Sequence, residues 1–181
     1  FAFAPASVLR LPDFLTTGKR LDGLGIFTWH DIQLAMRNDG KFEVDLRARE
    51  RNGMGSSTLQ AVAATFRGIF WSTAYPDYYN IGRSAINVHS LVRWDSQKRR
   101  FFASLSGPLR QNPKYRLQIG TDLRNENWDV REPSAANTIL DALNIRREAA
   151  EISFSSFSTG RWTWTTGAEF SHRDYRNVLA G

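Results

Sequence analysis

From Ile86 to Trp128 apolar and polar residues change places at almost every step. Tyr115, Leu117, Ile119, Thr121 and Leu123 fall on one side, with Arg116, Gln118, Gly120, Asp122 and Arg124 on the other. A period of two predicts strands whose two sides meet different surroundings. The same alternation predicts strands over Ala85–Trp94, Phe101–Ser106, Tyr115–Trp128, Glu148–Phe157 and Trp162–Ser171. Two earlier strands are expected at Thr58–Phe66 and Ile69–Tyr75, turned by Arg67-Gly68. Pro76–Gly82, Asp95–Lys98, Gly107–Pro113 and Thr159-Gly160 supply the turns between them. Val130–Ile145 carries Pro133, Asn137 and Asn144 without a period of two, and reads as a long loop with room for a short helix.

The first fifty residues follow a different pattern. Pro12 and Asp13 suit a helix start, Phe14, Leu21 and Leu24 recur at helical spacing, and Gly25 suits the C-terminal cap. Gly18 and Gly23 weaken that helix. Two alternating runs follow, with Ile32, Leu34 and Met36 on one and Phe42, Val44 and Leu46 on the other. Asn38-Asp39-Gly40 between them predicts a tight hairpin. Helix and hairpin together are expected to form a small two-layer module over residues 1–51, with 52–57 as a linker and 58–181 as the strand region.

The polar side of the strands narrows their environment. Arg93, Asp95, Arg116, Asp122, Arg124, Glu151 and Glu169 are too charged for a dry core but suit a wet lumen. The apolar sides end in aromatics, namely Trp71, Tyr75, Trp94, Tyr115, Trp128, Trp162 and Trp164. Aromatic ends and strands of ~9–11 residues are habits of transmembrane barrels. The fold expected is therefore mainly β: a partial antiparallel transmembrane barrel of about seven strands behind a partial α/β module. With the module on one side of a membrane, the turns at 77–82, 107–113 and 159–160 would lie on its side, and 130–145 on the other. Seven strands do not close a barrel of this type, so further strands are expected after Gly181.

Composition adds exclusions. The chain has 24 Lys and Arg against 18 Asp and Glu, a net charge of +6. Its arginines are dispersed along the sequence (Arg99-Arg100, Arg110, Arg116, Arg124, Arg146-Arg147, Arg161, Arg173, Arg176), which argues against a nucleic-acid partner. The absence of cysteine rules out disulfides and thiolate metal sites. The opening Phe1-Ala2-Phe3-Ala4-Pro5 has no initiator Met or signal-peptide pattern and reads as an internal or processed start.

No nucleophile elbow, phosphate loop or HExxH motif is present, and His30, His89 and His172 lie on separate elements. His172 and Asp174 beside Ser171 invite a triad reading, but adjacent residues of a strand point to opposite sides. The expectation is no enzyme, no catalytic residue, no metal and no cofactor.

Two stretches carry a family resemblance. Lys19–Phe27, the run Ile32–Met36, the turn, and Phe42–Arg49 followed by Glu50-Arg51 resemble the end of a POTRA domain. Ile86-Asn87-Val88, Arg93-Trp94-Asp95, Arg99-Arg100-Phe101, Leu105–Leu109 and Asn125–Trp128 resemble the first barrel strands of the BamA/TamA-type surface-antigen family. The Pro-containing turn after Ser106 is the most telling part. The resemblance implies sixteen strands in all, an outer-membrane location with the N-terminal module in the periplasm, and insertion or folding of β-barrel proteins. It also implies the lipid bilayer, unfolded outer-membrane clients and periplasmic or lipoprotein accessory subunits as partners. Thr58–Phe66, with Thr58, Ala61, Ala63, Ala64 and Phe66, would then be a weak lateral seam that templates a client strand. Arg67-Gly68-Ile69-Phe70 resembles the family's late-loop Arg-Gly-Phe motif but stands too early, and is read as a turn. A transport or secretion pore of the same architecture, and a soluble ligand-binding β-domain, are the alternatives.

Overall fold

The computed structural model describes residues 1–54, 63, 68–132 and 135–178, with backbone alone for 132 and 135–138. One helix, α1 (Leu11–Leu24), starts with Pro12 in its first turn and ends on Gly25 in the left-handed region (φ 67°). The capping Gly25 N–H donates to Asp22 O, so the sequence signals for both ends hold. A two-stranded sheet follows, β1 (Phe27–Met36) with β2 (Phe42–Glu50), closed by the turn at Gly40 (φ 74°). Its register sets Ile32 opposite Leu46, Leu34 opposite Val44 and Met36 opposite Phe42. The apolar stripe is real, but no layer covers its far end: Leu34, Met36 and Phe42 are exposed. The helix instead packs mainly on the larger sheet, so the expected two-layer module does not close on itself.

That larger sheet is antiparallel and holds β3 (Thr73–Ala74), β4 (Tyr78–Ile81), β5 (Ile86–Trp94), β6 (Lys98–Leu109), β7 (Asn112–Glu132), β8 (Ala135–Ser156) and β9 (Trp164–Asn177). From β5 to β9 it is an up-and-down meander, each strand paired with the next. The connections at 82–85, 110–111 and 157–163 all lie at one end, and α1 is at that end. Gly23 meets the Phe157 ring, and Arg20 Nη2 donates to Ser158 O at 3.3 Å. The connection at 95–97 lies at the other end, with the last described residue of β7 (132) and the first of β8 (135), as the turn parity requires.

Several expected elements differ. Thr58, Ala61, Ala64 and Phe66 lie outside the described residues, and Ala63 is helical, so nothing described supports a strand there. Ile69–Tyr75 is not a strand: residues 68–70 are helical, and Trp71 and Ser72 N–H groups donate to Gly68 and Ile69 carbonyls at 3.1 and 3.2 Å. Only Thr73–Ala74 pairs, opposite Val92–Arg93. Local turn formation there overrides the strand preference of Ile, Phe and Trp. The expected turn at 76–82 contains β4, and Gly53, read as linker, bridges Tyr79 through bonds of 2.7 and 3.0 Å. Gly107 and Pro108 belong to β6, and the turn narrows to Arg110–Gln111, both at positive φ.

The largest difference is at 130–145, whose described residues, 130–132 and 135–145, are paired strand in the far half of a long hairpin rather than a loop. Register shifts at Val130/Arg131 and Arg131/Glu132 change the phase of the pattern and so hide the strand in the sequence. The pairing is held by Asn144, whose Nδ2 donates to Asn125 Oδ1 and Asn127 Oδ1 at 2.6 and 2.7 Å.

Burial is inverted relative to an ordinary globular domain. Among described residues the side chains with almost no exposure are polar: Asn87, Thr17, Ser106 and Ser156. Phe170 is 77% exposed, and Ile119, Leu123, Ile152, Leu105 and Phe101 are all exposed.

Candidate functional site: the charged side of the large sheet

The register brings together residues that the sequence scatters. Arg93 stands opposite Arg100, Arg100 opposite Arg124, Arg124 opposite Arg147, and Arg147 opposite Arg173. Five arginines on five successive strands form one row. Like charges directly opposite one another weaken a sheet, so the row needs counter-charge. Asp122, mostly buried, supplies most of it: Arg100 Nε and Nη2 fork onto its two oxygens at 2.9 and 3.0 Å, and Arg124 Nε donates to it at 2.9 Å. A second Arg124 nitrogen also bonds Asp122, and Arg147 stands 4.0 Å away. Glu169 takes Arg147 Nη2 at 2.6 Å, and Asp95 takes Arg93 at 3.2 Å.

Arg93, Arg116, Asp122, Arg124 and Glu169 therefore share one side of the sheet, as the alternation predicts. The sequence reading missed Arg100, Arg147 and Arg173 as members. Their signal was present in Arg99-Arg100 and Arg146-Arg147, because one member of any adjacent pair on a strand must face each way. The row appears only once the strands are set in register.

Nearer α1, the same side carries a second cluster. Arg116 Nη2 donates to Ser106 Oγ at 2.6 Å and its Nη1 to Gly23 O at 3.3 Å. Asn87 Nδ2 donates to Leu24 O at 3.0 Å, while its Oδ1 accepts from Asn80 N–H at 3.0 Å. Asn80 Nδ2 continues to Asn52 Oδ1 at 2.7 Å. The last carbonyls of α1 lack helical partners, and a cation suits the negative end of the helix dipole. The cluster thus clamps the helix C-terminus onto the sheet. Gly23 permits the approach: a Cβ there would sit 2.7 Å from the Phe157 ring.

The opposite side holds the aromatics. Trp94, Tyr115 and Trp164 lie on it, with Tyr115 stacked on Phe154 at 5.5 Å and Phe154 against Trp164 at 5.6 Å. Trp71, Tyr75 and Trp162 sit in exposed connections rather than on paired strands. Trp128 has the parity of Asp122 and Arg124 and so belongs to the charged side, where the Lys98 ammonium lies 3.7 Å from its ring centre.

His172 and Asp174 are two residues apart, so they share a side, and they pair at 3.1 Å. Both lie on the side opposite Ser171, which the register sets across from Ala149, so no triad assembles. No cluster of three or more metal-ligating side chains occurs among the described residues. No described helix is long and apolar enough to cross a membrane, which says nothing of strands. Comparison of the chain with protein-family models, curated proteins and solved structures returned no match.

Proposed function

We propose that this chain is the opening wall of an outer-membrane β-barrel of the assembly type, with a POTRA-like module before it on the periplasmic side. Its function on this reading is to insert and fold β-barrel proteins in the outer membrane. The observation that carries the membrane part is the inversion of burial: hydroxyl and amide side chains are covered while the apolar side of β5–β9 is open. Water would penalise that arrangement by ~25 cal/mol per Å2 of apolar surface left uncovered. A bilayer removes the penalty, and a wet lumen suits the arginine row.

Dimensions agree. Tyr115 to Asn125 spans about 34 Å of strand, or about 26 Å along the membrane normal at a ~40° tilt, close to the ~25 Å apolar band of such barrels. Tyr115 and Trp164 mark one border and Trp94 the other. The assembly activity itself rests on the sequence resemblance.

Adjacent residues on β7 provide the test. In vesicles with bromine-labelled acyl chains, I119W should be strongly quenched and Q118W weakly. Equal quenching would sink the membrane reading. For the activity, the protein in proteoliposomes should accelerate folding of a small β-barrel client. A steady ion conductance without that acceleration would favour a transport pore.

A further inference from the structure

Assembly by itself does not account for the arginine row. Between Arg93 and Arg173 it crosses four strand spacings, about 19 Å at ~4.8 Å each. With the flanking residues of the same side it gathers six basic groups (the five arginines and Lys98) and five acidic ones (Asp95, Asp122, Glu126, Glu151 and Glu169). One carboxylate, Asp122, serves three guanidiniums. Arg173 is exposed and has no carboxylate within ion-pair distance among the described residues. The surplus is therefore one positive charge.

We infer that this row is a binding site for a dissolved multivalent phosphate compound. Guanidinium forks fit oxyanions two bonds at a time, and the Arg100–Asp122 fork has that geometry already. A linear condensed phosphate carries several charges within two or three strand spacings, so neighbouring guanidiniums meet it together. A monoanion would neutralise only one of them. Rows of arginine also line pores that select phosphate. That the ligand is dissolved rather than lipid-borne rests on the membrane reading above, because the row lies opposite the apolar side.

Titration calorimetry of the full chain in detergent micelles with linear triphosphate tests the site. Saturable binding that weakens with salt is expected, falling about tenfold or more in R173Q, the loss of one or two charge-assisted bonds. R173K should retain most of it, and R47Q, on the exposed hairpin, should match the parent. Absence of saturable binding, an unchanged R173Q, or an equal loss in R47Q would overturn the site. Vesicles containing a phosphorylated lipid separate the sources: retention that triphosphate does not displace would overturn the dissolved ligand. If I119W stays unquenched while R173Q still weakens triphosphate binding, the membrane reading fails and the site stands.

Discussion

Truncating Asn87 to alanine tests whether the clamp joins the helix to the sheet. The side chain is fully buried (0% exposed) and makes two bonds, accepting from Asn80 N–H and donating to Leu24 O, both at 3.0 Å. N87A orphans one buried donor, the Asn80 N–H, and one part-buried acceptor, the Leu24 carbonyl. Each costs ~1–3 kcal/mol when left unpaired, and water entering the vacated space would recover part, leaving about 2–4 kcal/mol. At ~1.4 kcal/mol per factor of ten, that is a thirty- to several-hundred-fold change. The readout is amide hydrogen exchange in micelles. Asn80 N–H and the last turn of α1 should lose protection by about that factor, while amides in the centre of β7 and β8 keep theirs. N38A, in the exposed hairpin turn, is the control. Undiminished protection at Asn80 would refute the clamp, and an equal loss throughout the sheet would show Asn87 to be a general core residue instead.

Two further perturbations address the charges. D122N leaves Arg100, Arg124 and Arg147 around a neutral amide, so urea unfolding in micelles should show a loss of about 2 kcal/mol, while triphosphate binding tightens; unchanged values for both would refute its role as shared counter-ion. The Asp95 carboxyl is held below its ordinary value, first by the Gln97 N–H bond and then by Arg93. A carboxyl depressed by folding stabilises the turn above its unfolded pKa, ~3.9, and that stabilisation disappears as pH falls through the lower folded value. The Gln97 amide should therefore lose protection, relative to neighbouring amides, in acid in the parent but not in D95N, and a flat parent profile would sink the assignment.

What the sequence made legible follows from which periods survive folding. Strands β5, β6 and β7 and the two faces of β7 could be read because each face has one environment throughout. The outer half of β7–β8 could not, because its bulges shift the phase where Asn and Asp replace apolar residues. Ile69–Trp71 misleads in the opposite sense, since its strand-forming side chains are folded into a helical turn by Gly68. Arg100, Arg147 and Arg173 illustrate a third limit. Alternation assigns a residue to a side, but only the pairing of strands says which residues on that side are neighbours. The dispersal of arginine along the sequence argues only against a nucleic-acid partner, and it does not show which arginines cluster, because distance along a meander is unrelated to distance across it. Residues 24, 23 and 26 apart in sequence (Arg100 to Arg124, Arg124 to Arg147, and Arg147 to Arg173) lie one strand spacing apart once the register is set. Charge clustering in a meander must therefore be judged across the strands, where the present row gathers the positive surplus that the composition only hints at.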